Sequence, residues 1–200
     1  MTNLNNHSVE FSALQDPYDT AERFIKEVEL CRESVPFPAI NQLRCAGHHL
    51  LKGLVSDESQ GLSDELGDVK DHCHRAMYEA ADAGIIYLFR LLQRFQDYFK
   101  DVSIRSVIPE YVEILVTARE AKALLFQGRL NRESPKEQVG KYMEKFRELR
   151  NGTDKLEAGR DELNKLKADR RRSDQRFTVQ VVFWVCMVVL AALSLLLVQL

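Results

Sequence analysis

The sequence predicts an all-α protein: a cytosolic helical bundle with a long juxtamembrane helix running into one C-terminal transmembrane helix. Three observations carry this. Apolar residues recur at steps of three and four through most of the 200 residues, and strand-like alternation barely appears. Prolines and capping residues cut that pattern into segments of helical length. Residues 177–200 carry no charge, and about 20 apolar residues suffice to cross a hydrocarbon core about 30 Å thick.

Residues 1–15 are polar and Asn-rich and read as a flexible N-terminal arm. Asp16-Pro17 then places a cap before proline at a first helical position. Ala21, Phe24, Ile25, Val28 and Cys31 follow at helical spacing, which predicts a first helix to about Glu33. Val35-Pro36-Phe37-Pro38 must break it, because proline fixes φ and disfavours helix in the residue before it.

The second helix starts near Pro38, with Ile40, Leu43, Gly47, Leu50, Leu51 and Leu54 as its expected inner face. A polar loop over 56–61 closes it, and Ser63 caps a third helix with Asp64 and Glu65 in its first turn. That helix is the longest patterned element and the expected centre of the core. Its apolar face reads Cys73, Met77, Ala80, Ala81, Gly84, Leu88, Leu91, Phe95 and Tyr98.

Pro109 opens the fourth helix, with Tyr111, Ile114, Leu115, Ala118, Ala121 and Leu125 inward and Gly128 as its stop. The bundle therefore spans 16–130. Ser134-Pro135-Lys136-Glu137 is a capping box, Ser at the cap and Glu three residues on. From there 134–176 reads as a stalk helix, about 63 Å long from Pro135 to Arg176 if unbroken. Leu149, Leu156 and Leu163 recur at steps of seven, but the seam beside them is Gly152, Gly159 and Leu166. Asn151-Gly152 is the expected kink, and packing of this segment against the body competes with self-pairing.

Residues 177–200 form the expected tail anchor, with Gln180 and Ser194 as mild polar interruptions of the span. Lys165, Lys167, Arg170, Arg171, Arg172 and Arg176 crowd its approach against Asp169 and Asp174. Basic flanks stay on the cytoplasmic side, so N-terminus and body face the cytosol. Residues 1–14 lack the basic and apolar regions of a signal peptide.

Charge divides along the chain. Residues 1–100 hold sixteen acidic and ten basic side chains, and residues 101–200 hold fourteen and eighteen. The basic surplus lies beside the expected bilayer, where anionic headgroups attract it. A nucleic-acid partner would prefer a basic domain, and this one is acidic away from the membrane. Cys31, Cys45, Cys73 and Cys186 form no Cys-x-x-Cys and read as reduced thiols.

Motifs for chemistry are few. Glycine-rich phosphate loops, Gly-x-Ser-x-Gly and His-Glu-x-x-His are absent. Asp71-His72-Cys73-His74 has ligand-type residues, but helical neighbours two apart point about 200° from each other, so His72 and His74 cannot share one ion. The reading assigns no metal and no cofactor. His48 with His72, Arg75, Glu79 and Asp82, which line one polar strip of the third helix, are candidate interface residues against the alternative of a solvated face.

Arg44-Cys45-Ala46-Gly47-His48-His49 contains Arg-x4-His, which in an all-α domain resembles the signature of HEPN ribonucleases. The resemblance covers six residues and implies Arg44 stabilising phosphate charge and His49 in proton transfer. On an unbroken helix, five positions separate the two by about 140°, and Cys45 stands where the family commonly has a polar residue. The expected function is non-enzymatic: membrane-localised interaction, by self-assembly into a homo-oligomer or by docking a protein partner to the lipid bilayer. The alternatives are a membrane-tethered HEPN-like ribonuclease and an oligomeric membrane-perturbing effector.

Overall fold

The computed structural model describes residues 8–55, 59–131 and 135–198, with side chains omitted at 8–10, 59, 128–131, 135, 137 and 190–198. It contains α1 (Ser8–Arg32), α2 (Phe37–Val55), α3 (Ser59–Tyr98), α4 (Tyr111–Asn131), α5 (Pro135–Ala158) and α6 (Arg160–Val198), with a 3-10 turn at Ile104–Ser106. No strand occurs among the described residues. At about 1.5 Å per residue, α3 is a spine about 60 Å long. α1, α2 and α5 each pack against it, and α4 packs chiefly against α5.

α1 starts at Ser8, so half of the expected arm is helix, Pro17 lies inside it, and residues 1–7 are outside the described ones. An interior proline removes one helical hydrogen bond. Buried Leu14 and half-buried Phe11 anchor the added turns on the core and outweigh that loss. α1 ends where Glu33 adopts a left-handed φ of 54°, one residue past Arg32 and just before Val35-Pro36.

The inner face of α2 matches the expected one in part, with Leu43 and Leu50 half-buried against the core. Ala39, Ala46 and Gly53 are buried at steps of seven, whereas Ile40, Leu51 and Leu54 are exposed. Small side chains let the two backbones close up: a Cβ on Gly53 would sit 3.0 Å from Leu62 Cδ1. α3 begins at Ser59, ahead of the expected Ser63 cap, and residues 56–58 of the intervening loop are outside the described ones. Its buried face holds the expected residues through Leu88 and Phe95, but Leu92 and Phe99 are buried where half-buried Leu91 and exposed Tyr98 were expected.

The first part of the expected stalk lies on the body, the alternative to self-pairing. α5 is a core helix: Tyr142, Phe146, Leu149 and Leu156 are fully buried, as is Leu163 in α6. The helix passes through Asn151-Gly152 unbroken and interrupts at Gly159. Gly84 on α3 makes room for Phe146, whose ring would lie 2.6 Å from an added Cβ. Gly152 and Gly159 do the same for Ile114 and Ile108, at 3.0 and 2.8 Å. The seven-residue stripe is thus satisfied inside the chain. α4 extends past Gly128 to Asn131, and the Ser134 cap is outside the described residues.

Polar ties cross the same interfaces. The Tyr142 hydroxyl donates to the Leu124 carbonyl at 3.0 Å. Arg147 grips the Glu27 carboxylate and lies over the Phe24 ring, 5.5 Å from its centroid. Lys145 donates to Glu120 and Glu148, and those bonds hold its ammonium up to about 12.

α6 leaves the bundle through a cationic clasp. Arg160 lies over Phe95, Lys167 sits 3.6 Å from the Tyr98 ring centroid and donates to the Tyr98 carbonyl, and Arg170 donates to the Asp101 carbonyl. Every side chain described from 168 to 189 is exposed, Phe183 and Trp184 included. The expected span falls on this half of α6, and its side chains from 190 onward are outside the described residues. Among the described residues, no helix is long and apolar enough to cross a membrane.

Two substitutions test this packing by urea unfolding followed by helical circular dichroism. Phe146→Ala is expected to destabilise by about 3–5 kcal/mol. Gly84→Ala, which adds one carbon against a buried ring, is expected to cost about 1–3 kcal/mol. Near-zero effects at both positions would mean that α5 does not lie on α3.

Candidate functional site

The side chains singled out in α2 and α3 meet along the seam between these helices. Gln42 and His49 project from α2, seven residues apart. Glu65, Asp68 and His72 project from α3 at steps of three and four, which puts them on one helical face. The close packing of Ala39, Ala46 and Gly53 on α3 brings the two sets within reach of each other.

His49 is the pivot. Its Nδ1 lies 2.6 Å from Glu65 Oε2 and 3.3 Å from Asp68 Oδ2. A carboxylate can only accept, so Nδ1 carries the hydrogen and donates it to Glu65. The His49 ring also stacks on His72, with centroids 5.0 Å apart and planes 29° apart. His72 Nδ1 is 2.7 Å from Gln42 Oε1, which fixes that ring against α2. Burial lowers the His72 pKa from its ordinary value, and His49 and Arg75 add to the shift. The imidazole is therefore held toward its neutral form.

Other candidates fall elsewhere. Arg44 is exposed on α2, while His49 turns onto α3. His48 is exposed beside His49, and Arg75 is exposed on α3. Glu79 and Asp82 are half-buried further along α3. In the Asp71-His72-Cys73-His74 run, Cys73 is fully buried in the core and burial pushes its thiol up to about 11. His74 is half-buried, and its Nδ1 has no hydrogen-bond partner among the described residues.

Of the basic flank, Lys167 is taken by the last carbonyl of α3 and Arg170 by the Asp101 carbonyl just beyond it. Lys165, Arg171, Arg172 and Arg176 are exposed.

The sequence points to no metal ligands, yet His49, Glu65 and Asp68 bring one ligand atom each within 4.8 Å of one another. Glu65, Asp68 and Gln42 are not among the candidate site residues that the sequence singles out. Glu65, Asp68 and His72 could have been noticed as a helical face. Their partner on α2 could not, since its position depends on how the two helices are registered.

No family model matches the chain, and neither a curated protein nor a solved structure does.

The placement of Cys73 has a direct chemical readout. Thiolate is the reactive form, and a buried thiol with a raised pKa is inert. Iodoacetamide at pH 8 is therefore expected to leave Cys73 unmodified in the folded chain and to alkylate it in urea, as read by peptide mass spectrometry. Rapid labelling of folded protein at Cys73 would remove this residue from the core.

Proposed function

We propose that this chain is a single-pass membrane protein whose helical bundle, on the cytoplasmic side, acts as an interaction module. It works by self-assembly or by docking a partner protein to the bilayer. The observation that carries the reading is the second half of α6: residues 177–200 are without charge, and those whose side chains are described, 177–189, are all exposed. A helix apolar all round belongs in a core or in lipid, and this one leaves its own core behind at Leu163. A contiguous exposed apolar surface of that kind needs a cover.

The flank agrees with a bilayer as that cover. Exposed Lys165, Arg171, Arg172 and Arg176 sit where anionic headgroups contribute about 1 kcal/mol per basic residue. The clasp at Tyr98 and Asp101 lies about 10 Å from the start of the uncharged stretch, counting Arg170 to Phe177 along the helix. It would hold the bundle at a fixed attitude to the surface. The interaction role rests on the body, which exposes Phe37, Leu51 and Val55 on α2 and Phe126 on α4.

Membrane insertion is tested by alkaline carbonate extraction of the full chain expressed with its native C-terminus. Wild type is expected in the membrane pellet. Val189→Arg, a charge near mid-span costing at least about 2.5 kcal/mol, is expected to shift protein to the supernatant. Wild type recovered in the supernatant would sink the membrane reading.

A further inference from the structure

We propose that His49, Glu65 and Asp68 form a binding site for a divalent first-row transition metal that clamps α2 to α3. This goes beyond the membrane reading and does not depend on it. The two carboxylates are three residues apart on α3 and both face one imidazole nitrogen from α2. Zinc–ligand bonds to nitrogen and carboxylate oxygen run about 2.0–2.2 Å, so ligands on one edge of a tetrahedron lie about 3.4 Å apart. The Nδ1–Asp68 distance of 3.3 Å is close to that edge, the Nδ1–Glu65 distance of 2.6 Å is shorter than it, and all three ligand atoms fall within 4.8 Å of one another. Admitting an ion requires the His49–Glu65 contact to open by about 0.8 Å to reach that edge.

Chemistry narrows the ion. An imidazole with two carboxylates suits zinc and its first-row neighbours, whereas magnesium and calcium take oxygen ligands. Binding uses the Nδ1 lone pair: the ring loses its Nδ1 hydrogen to solvent as Nε2 takes one up, so the imidazole stays neutral, and the ion neutralises the two carboxylates that now crowd one donor. His49 and Glu65 are about three-quarters or more buried, while Asp68 is more than half exposed. The ion thus has a solvent route past Asp68 and space for water as a further ligand. His72, stacked on His49 and tied to Gln42, is a positioning residue that fixes the imidazole plane.

The consequence is structural. Ligands from both helices turn a seam of small residues into a cross-linked one, and binding to the folded state alone raises stability by mass action.

The test uses the tag-free full chain in detergent micelles, titrated with zinc by calorimetry and with cobalt by visible absorption. One saturable equivalent is expected, with a cobalt d–d spectrum and no sulfur-to-metal charge-transfer band, and with a zinc-dependent rise in Tm. Glu65→Gln and Asp68→Asn, near-isosteric changes that keep the helices, should each weaken binding by at least about tenfold, the loss that even outer-shell changes cause. His48→Ala and Cys45→Ser should bind as wild type. Absence of saturable binding would overturn the proposal. So would unchanged affinity in both carboxylate variants, or an equal loss in His48→Ala.

Discussion

The close approach of α5 to α3 and α4 governs the arrangement of the bundle. Phe146 is fully buried and rests where Gly84 has no side chain, against an edge-on Phe24 with centroids 5.6 Å apart. Interiors pack about as densely as organic crystals, so such a ring needs a void of matching shape. Gly152 and Gly159 repeat the device one face round, admitting Ile114 and Ile108. Glycine costs about 1 kcal/mol in a helix interior, and burying a large apolar side chain recovers more, about 1.5–3 kcal/mol. The same glycines that weaken a coiled coil make an intramolecular helix packing tight. With α5 seated, α1 closes over it through the Glu27–Arg147 pair and α4 through Tyr142 and Lys145.

How α6 departs follows from that seating. Leu163 continues the buried stripe of α5 beyond the break at Gly159. The next turns carry Lys167 to the Tyr98 carbonyl at the C-terminal end of α3, where a cation complements the partial negative charge of the last carbonyls, and Arg170 to the Asp101 carbonyl in the loop that follows. Tyr98 is exposed to solvent on one side and presents its ring to Lys167 on the other, a contact worth about 0.5–1 kcal/mol at an exposed site. Two cations that read in sequence as membrane flank thus set the exit direction of the helix.

Much of this was legible in the residues, and the misreadings share physical causes. Helix class and number follow from periodicity and proline punctuation, which are local. The α3 face slipped at Leu91-Leu92 because both neighbours are apolar and periodicity alone cannot choose between them. The α2 face departs in part for the opposite reason: Leu43 and Leu50 pack on the core, but the closest contact is made by Ala39, Ala46 and Gly53, while Ile40, Leu51 and Leu54 stay exposed. Side-chain size marks transfer energy, but helix–helix distance is set by what is small. A stripe at steps of seven reports that a partner exists without reporting which one; of the two expected outcomes, self-pairing and packing against the body, α5 shows the second.

The polar cluster is legible least of all, and the α2 seam explains why. Small residues at steps of seven bring α2 close to α3, so side chains flanking the seam are held against one another. Gln42 and His49 are themselves seven apart, and so are Glu65 and His72. Each pair therefore repeats with the seam and faces the opposite helix at two successive levels. At the upper level His72 finds Gln42; at the lower, His49 finds Glu65 and Asp68. Partly buried polar groups at such a contact need partners, and a one-turn slip of α2 would separate every one of these pairs while leaving small residues against α3. Packing brings the helices together, and the imidazoles and carboxylates select the register.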